Sequence, residues 1–166
     1  MAKKGAERMF REVARINKRL TQTECVQILK AEKRGVLSLL GDDDYPYGVP
    51  LNYWYCEEEN RLYFHGGKKG HRIDAMKNHD KVSFCVYDEG YREEGDWALN
   101  IRSVIVFGRA KVVEDMQRAM EAARQLSLKF TGDMAYIDKE IQVEGPHTLC
   151  FYVEIEHMTG KKIKEA

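Results

Sequence analysis

The 166-residue sequence has no surplus of either charge, with 27 Lys and Arg against 27 Asp and Glu. Proteins that gain affinity by neutralising phosphates carry a basic excess, so nucleic acid is not an expected partner. Long apolar runs are missing as well. No stretch reaches the roughly 18 apolar residues of a membrane helix. The opening MAKKGAERMF lacks the apolar core of a signal peptide. The expectation is a cytoplasmic protein with no membrane contact. Cysteine is sparse: Cys25, Cys56, Cys85 and Cys150 form no CxxC pair. Neither a zinc site nor a disulfide framework is expected, and no metal ligand set is assigned. Internal repeats and low-complexity linkers are absent, so residues 21–166 read as one domain behind an N-terminal arm, residues 1–20. The GxxxxGK[ST], GxGxxG and GxSxG patterns are missing too. The acid runs Asp42–Asp44 and Glu57–Glu59 lack EF-hand spacing and read as solvated turns.

What is present is mostly strand signal. A chain of this length buries roughly 70% of its unfolded surface, enough for a core without staples. Thr21 with Glu24 three residues later predicts a capping box and a helix to about Lys33, stopped by Gly35. Six strands follow from the pattern: Val36–Leu40, Gly48–Tyr55, Arg61–His65, Val82–Tyr87, Ile101–Val113 and Leu149–Ile155. The second and third read as a hairpin around Glu57–Asn60. Gly108 reads as a bulge or bend in the fifth. Short helical patterns cover His71–Asn78, Met116–Lys129 and Asp133–Val143. The expected class is mainly β with flanking helices, closed as a small barrel to remove exposed edges.

Two segments carry chemistry. Pro50 interrupts an apolar strand, Tyr45 to Tyr53. Proline cannot donate to a ladder, so this is either an edge or bulge, or a strand that turns its backbone to a ligand. The second segment, Leu62 to Arg72, places Gly66, Gly67 and Gly70 among Lys68, Lys69, His71 and Arg72, at the junction of a strand and a helix. Glycines admit a ligand close to backbone N–H groups, and a helix start favours an anion. An exposed basic turn is the plain alternative. The seven basic residues between Lys3 and Arg19 read as a solvated arm. His79, His147 and His157 show no ligand spacing. Trp54 is expected in the core or an interface, and Trp97 is a candidate for the substrate side of a cleft.

Val49-Pro50-Leu51-Asn52, Tyr63-Phe64-His65, Gly70-His71-Arg72, Arg102 to Gly108 and Met158 to Lys161 occur in this order and spacing. In this the chain resembles the pyridoxamine-phosphate-oxidase-like proteins, and among them the 5-nitroimidazole-resistance-type branch. The resemblance runs from Thr21 to Lys161. It implies a six-stranded antiparallel split β-barrel of FMN-binding type and a homodimer with FMN at the subunit interface. By this likeness Val49, Pro50, Leu51 and Asn52 line the flavin ring. Phe64, His65 and Gly66 lie beside the ribityl chain. His71 and Arg72, helped by Lys69, hold the phosphate, and Arg102 and Ser103 meet the cofactor from another strand. His71 stands where arginine is common, so charge at that point would depend on pH. The Trp and Arg of a C-terminal substrate-gripping segment are missing, which argues against pyridoxamine-phosphate oxidation itself. The implied activity is reduction of small molecules, nitroaromatic or nitroimidazole compounds among them. His65 is the candidate catalytic proton donor or else a structural histidine. A non-catalytic flavin- or haem-binding module is the alternative, with haem as the alternative cofactor.

Overall fold

The computed structural model describes residues 9–165. The first eight residues of the basic arm, with Lys3, Lys4 and Arg8, lie outside the described residues, as does Ala166. Helix α1 (Gln22–Ala31) begins as its sequence dictates. The Thr21 side chain accepts from the Glu24 N–H and the Glu24 carboxylate accepts from the Thr21 N–H. There follow β1 (Arg34–Leu40), β2 (Pro46–Asn52), β3 (Trp54–Cys56), β4 (Arg61–Gly67), α2 (His71–Asn78), β5 (Lys81–Tyr87), β6 (Leu99–Val112), α3 (Met116–Leu128), α4 (Met134–Glu144) and β7 (Thr148–Glu165).

All seven strands form one antiparallel sheet in the order β2-β1-β5-β6-β7-β4-β3. The two edge strands, β2 and β3, are consecutive in the chain and joined by the single residue Tyr53. A sheet whose opposite edges are one residue apart must curl until they meet. The result is a barrel with a seam at Tyr53. The expected count of six strands is therefore corrected to seven. The apolar run Gly48–Tyr55 is two strands, because Tyr53 leaves the ladder. Its ring is fully buried, and its hydroxyl donates to the Leu29 carbonyl at 2.9 Å. The expected hairpin likewise involves only β3, which pairs Trp54 to Cys56 with Tyr63 to Arg61, while β2 pairs with β1.

Two cross-strand ladders show how sequence alternation makes an inside and an outside. Val49, Leu37, Phe84, Val106 and Met158 stand opposite one another and are buried or half-buried in the core. One residue along, Pro50, Val36, Cys85, Ile105 and Thr159 form the outer ladder, of which Pro50, Val36 and Ile105 are exposed. The pairing of β6 with β7 shifts register between Phe107 and Gly108. A Cβ at Gly108 would overlap the Glu154 carbonyl and lie 2.8 Å from Val153 Cγ1, so the strands approach there only because the residue is glycine.

β7 is longer than its apolar stretch suggested. Residues 148–154 pair with β4, while residues 151–165 pair with β6, carrying the strand through the lysine-rich end. α1 packs Cys25, Ile28 and Leu29 into the core, and α3 covers a second cluster of Cys56, Tyr63 and Ala122. The four cysteines are free thiols. Among the described residues no helix is long and apolar enough to cross a membrane, and no group of three His, Cys, Asp or Glu could hold a metal.

Candidate functional site

The glycine-rich turn after β4 delivers the chain into α2. Gly70, the residue before α2, has φ 121°, a conformation that suits glycine, and no side chain caps this helix. Its first N–H groups therefore lack a side-chain acceptor. Arg72, in the first turn, is half-buried. Its guanidinium lies across Gly66, where any Cβ would overlap Nη2, and its carbon sits 5.4 Å from the Phe151 ring centroid. Among the described residues no carboxylate pairs with Arg72. Its Nε is buried without a hydrogen-bond partner. Burial lowers the Arg72 pKa somewhat from its ordinary value, but a guanidinium stays charged at neutral pH. An unpaired cation next to an uncapped helix start is suited to an anion with several acceptor oxygens.

His71 does different work. Its ring stacks on Tyr47 of β2 at 4.1 Å, and its Nε2 accepts the Asp42 N–H at 3.2 Å. That nitrogen is engaged, so His71 pins the α2 start to the β1–β2 turn. The two segments singled out in the sequence thus meet through Tyr47 and His71. Lys69 is exposed, and the neighbouring Lys68 ammonium donates to the Pro146 carbonyl.

Phe64 is buried and stacked on Phe151 at 4.9 Å, so it serves the core beneath this turn. His65, next in β4, points to the other face and is exposed. Crowding by the protein, then the Arg72 charge, lowers its pKa from the usual 6.5, so the imidazole is neutral at pH 7.

A second concavity of about 780 Å³ opens on the outer face. Pro50, Val36, Arg34, Tyr87, Tyr91 and Arg102 are among the residues lining it. β2 is an edge strand, where a proline is tolerated, and the Pro50 ring contributes to the cleft wall. Asn52 is exposed on the same face, whereas the Val49 and Leu51 side chains pack inward, leaving only their backbone to a ligand. Arg102 reaches the cleft but is held by Asp88: Nε donates to Oδ2 at 2.7 Å and the backbone N–H to Oδ1 at 2.8 Å. Ser103 lies beside it, its hydroxyl 3.4 Å from the Lys161 carbonyl. Within one chain Pro50 and Arg102 therefore share a cleft, and Gly66, His71 and Arg72 form a separate group. His65 belongs to neither the cleft wall nor the core.

Sequence reasoning missed Tyr47, Asp88, Tyr87 and Tyr91. Asp88 opens the acidic loop and is buried, with Oδ1 also accepting the Gly90 N–H at 3.2 Å. Gly90 has φ 79°, a turn an Asp-x-Gly spacing signals. Tyr47 and Tyr87 carry no such signal beyond strand alternation. Trp97 is exposed and makes no cleft wall.

The family model described as pyridoxamine 5′-phosphate oxidase matches residues 21–162. Among curated proteins none matches the chain. Solved structures do. A candidate 5-nitroimidazole antibiotic resistance protein from Bacteroides thetaiotaomicron VPI-5482 aligns with TM-score 0.73 at 17% identity, over 89% of this chain and 87% of its own. A FAD-binding protein from Mesorhizobium loti aligns with TM-score 0.66 at 23% identity, over 88% and 97%. A FAD and haem binding protein from Mycobacterium smegmatis aligns with TM-score 0.67 at 16% identity, over 87% and 72%. At these identities the likeness is one of fold.

Proposed function

The chain belongs to the pyridoxamine 5′-phosphate oxidase family, and on that footing we propose that it is an FMN-binding flavoprotein that reduces small molecules. The observation that carries this reading is Arg72, a half-buried guanidinium with no carboxylate partner and an orphaned Nε, laid over Gly66 at an uncapped helix start. FMN ends in a phosphate monoester, which supplies the charge and acceptor oxygens this corner lacks. Lys69 and the α2 N–H groups assist. The 780 Å³ cleft beside Pro50 is large enough for a flat tricyclic ring, and the exposed Asn52 and the strand backbone offer it polar contacts. When bound, the flavin supplies the electron transfer, and the protein binds, orients and shields it.

Within one chain Gly66, His71 and Arg72 contribute nothing to the wall of the cleft beside Pro50, which favours a homodimer in which each subunit completes the other's site. Exposed Val36, Tyr87, Ile105 and Phe107 give the outer sheet face the apolar character of such an interface. His65 beside Arg72 is a candidate proton donor to reduced substrates, nitroaromatic compounds included, in its imidazolium form, which the lowered pKa makes the minor form at pH 7.

The test is direct. Purified protein should show the two-banded visible spectrum of a flavin, and denaturation should release FMN rather than FAD. Sedimentation at micromolar concentration should give a dimer. A colourless protein that fails to take up added FMN refutes the reading. An intense Soret band would favour haem instead, the reading that His65 and the M. smegmatis neighbour keep open.

A further inference from the structure

We propose that Asp88 is a positioning residue for the flat end of the ligand: it roots the Arg102 guanidinium so that its outer end hydrogen-bonds the acceptor edge of the flavin ring. The identity of the ligand rests on the flavin reading, while the division of tasks between Arg72 and Arg102 goes beyond it.

Asp88 follows the last residue of β5 and is buried. Its Oδ1 accepts the N–H groups of Gly90 at 3.2 Å and of Arg102 at 2.8 Å, and its Oδ2 accepts Arg102 Nε at 2.7 Å. An arginine and a carboxylate that meet only each other often pair fork to fork, through two parallel N–H groups. Here Oδ1 is taken by backbone, and Nε alone serves Oδ2. Among the described residues neither Nη1 nor Nη2 of Arg102 makes a hydrogen bond. The guanidinium is thus anchored at its root, with the N–H donors of its outer end left over. The side chain is half-buried and lines the cleft beside Pro50.

A second contact steadies the group. Its carbon lies 5.7 Å from the Tyr91 ring centroid. Tyr91 is fixed in turn, exchanging backbone hydrogen bonds of 2.9 and 2.8 Å with Asn100 and accepting Lys162 Nζ on its hydroxyl at 3.3 Å. Asp88 and Tyr91 line the same cleft. A donor held in place loses little freedom when a ligand arrives.

Asp88 also decides what Arg102 recognises. The ion pair has no net charge, so it offers donors without the unpaired cation of Arg72. A phosphate monoester gains more at Arg72. An uncharged edge of carbonyl oxygens and ring nitrogen is matched to Arg102, and a flavin has both ends. Reduction of the ring puts negative charge on that edge, so donors aimed at it hold the reduced ring more tightly than the oxidised one.

The test titrates apo protein with FMN and reads the midpoint potential of the bound flavin by dye equilibration. Asp88→Asn should weaken FMN binding on the order of tenfold when Arg102 is present, and less than about twofold when Arg102 is already methionine. Arg102→Met should lower the potential by about 30 mV, a tenfold loss for the reduced relative to the oxidised ring in a two-electron couple. The Asp88→Asn/Arg102→Met double variant strands no buried carboxylate and should show the same fall, so the potential is readable even if Arg102→Met alone does not fold. An equal loss of affinity in both backgrounds would mean that Asp88 serves only the Gly90 turn and would overturn the proposal. An unshifted potential in the double variant would overturn it as well. A wild-type protein that takes up no FMN would bring down the flavin reading and this assignment with it.

Discussion

Replacing Arg72 by alanine separates phosphate recognition from everything else a flavin site does. Among the described residues no carboxylate pairs with the guanidinium, so its hydrogen-bonding capacity is available to a ligand. A charge-assisted hydrogen bond contributes about 1.5–3 kcal/mol. Two such bonds from a half-exposed fork, discounted for solvent, amount to about 3 kcal/mol, or on the order of 100-fold in Kd. Riboflavin has the same ring and ribityl chain but no phosphate. The assay is therefore a ligand-by-variant cycle, titrating FMN and riboflavin into apo wild type and apo Arg72→Ala by flavin fluorescence quenching. FMN affinity should fall on the order of 100-fold, and riboflavin affinity should change less than about twofold. Truncation also empties the space between Gly66 and Phe151, so the melting temperature of the apo variant should be read alongside. An equal loss for both ligands would mean that Arg72 acts only through the fold. No loss for either would remove it from the site.

Three other substitutions probe neighbouring steps of the same reasoning. Gly66→Ala inserts a Cβ into the Arg72 guanidinium, the movable end of a side chain. FMN retention should drop while the melting temperature stays within a few degrees, and unchanged retention would show that Arg72 need not lie over this turn. Gly108→Ala meets backbone instead, the Glu154 carbonyl, and should destabilise by about 3 kcal/mol, roughly 8 °C in Tm by calorimetry. A shift under about 2 °C would mean the sheet yields there. His65 has a folded pKa below its unfolded value of 6.5. The neutral ring is the one the fold prefers, so stability is full above pH 6.5 and declines as pH falls from there through the folded pKa. His65→Gln should flatten that decline in urea titrations between pH 7 and about pH 5, and an unaltered slope would place the acid sensitivity elsewhere.

Local chemistry was the readable part of the fold. The Thr21 and Glu24 capping box, the β-alternation of Val82, Phe84 and Val86, and the Gly108 register shift all depend on residues near in sequence, and the structure contains each of them. The barrel's closure was not readable in the same way. It turns on Tyr53, an aromatic in an apolar run that looks like strand from either side. Only the partner strands decide that the chain breaks there, and they come from opposite edges of the sheet. The second half of β7 was hidden for a related reason. From His157 to Glu165 lysines fall on both faces of the strand, and the buried positions, Met158 and Gly160, are too few to signal a strand without β6 beside them.

The site divides along the same line. That Gly66, Gly70 and Arg72 gather at one turn was legible because a glycine-rich strand-to-helix junction rich in basic residues is a local pattern. His71 and Arg102 were legible as positions but not as roles. Both are basic residues near the expected cofactor, yet one is occupied by the Asp42 N–H and the other by the Asp88 carboxylate. Whether a basic side chain is free to meet a ligand depends on which hydrogen-bond partners the fold has already brought to it. Those partners lie 29 and 14 residues away in sequence, across turns whose geometry no local pattern specifies. Of the two arginines, only Arg72 is without a carboxylate partner among the described residues, so in the proposed site phosphate recognition rests on it rather than on the density of positive charge around it.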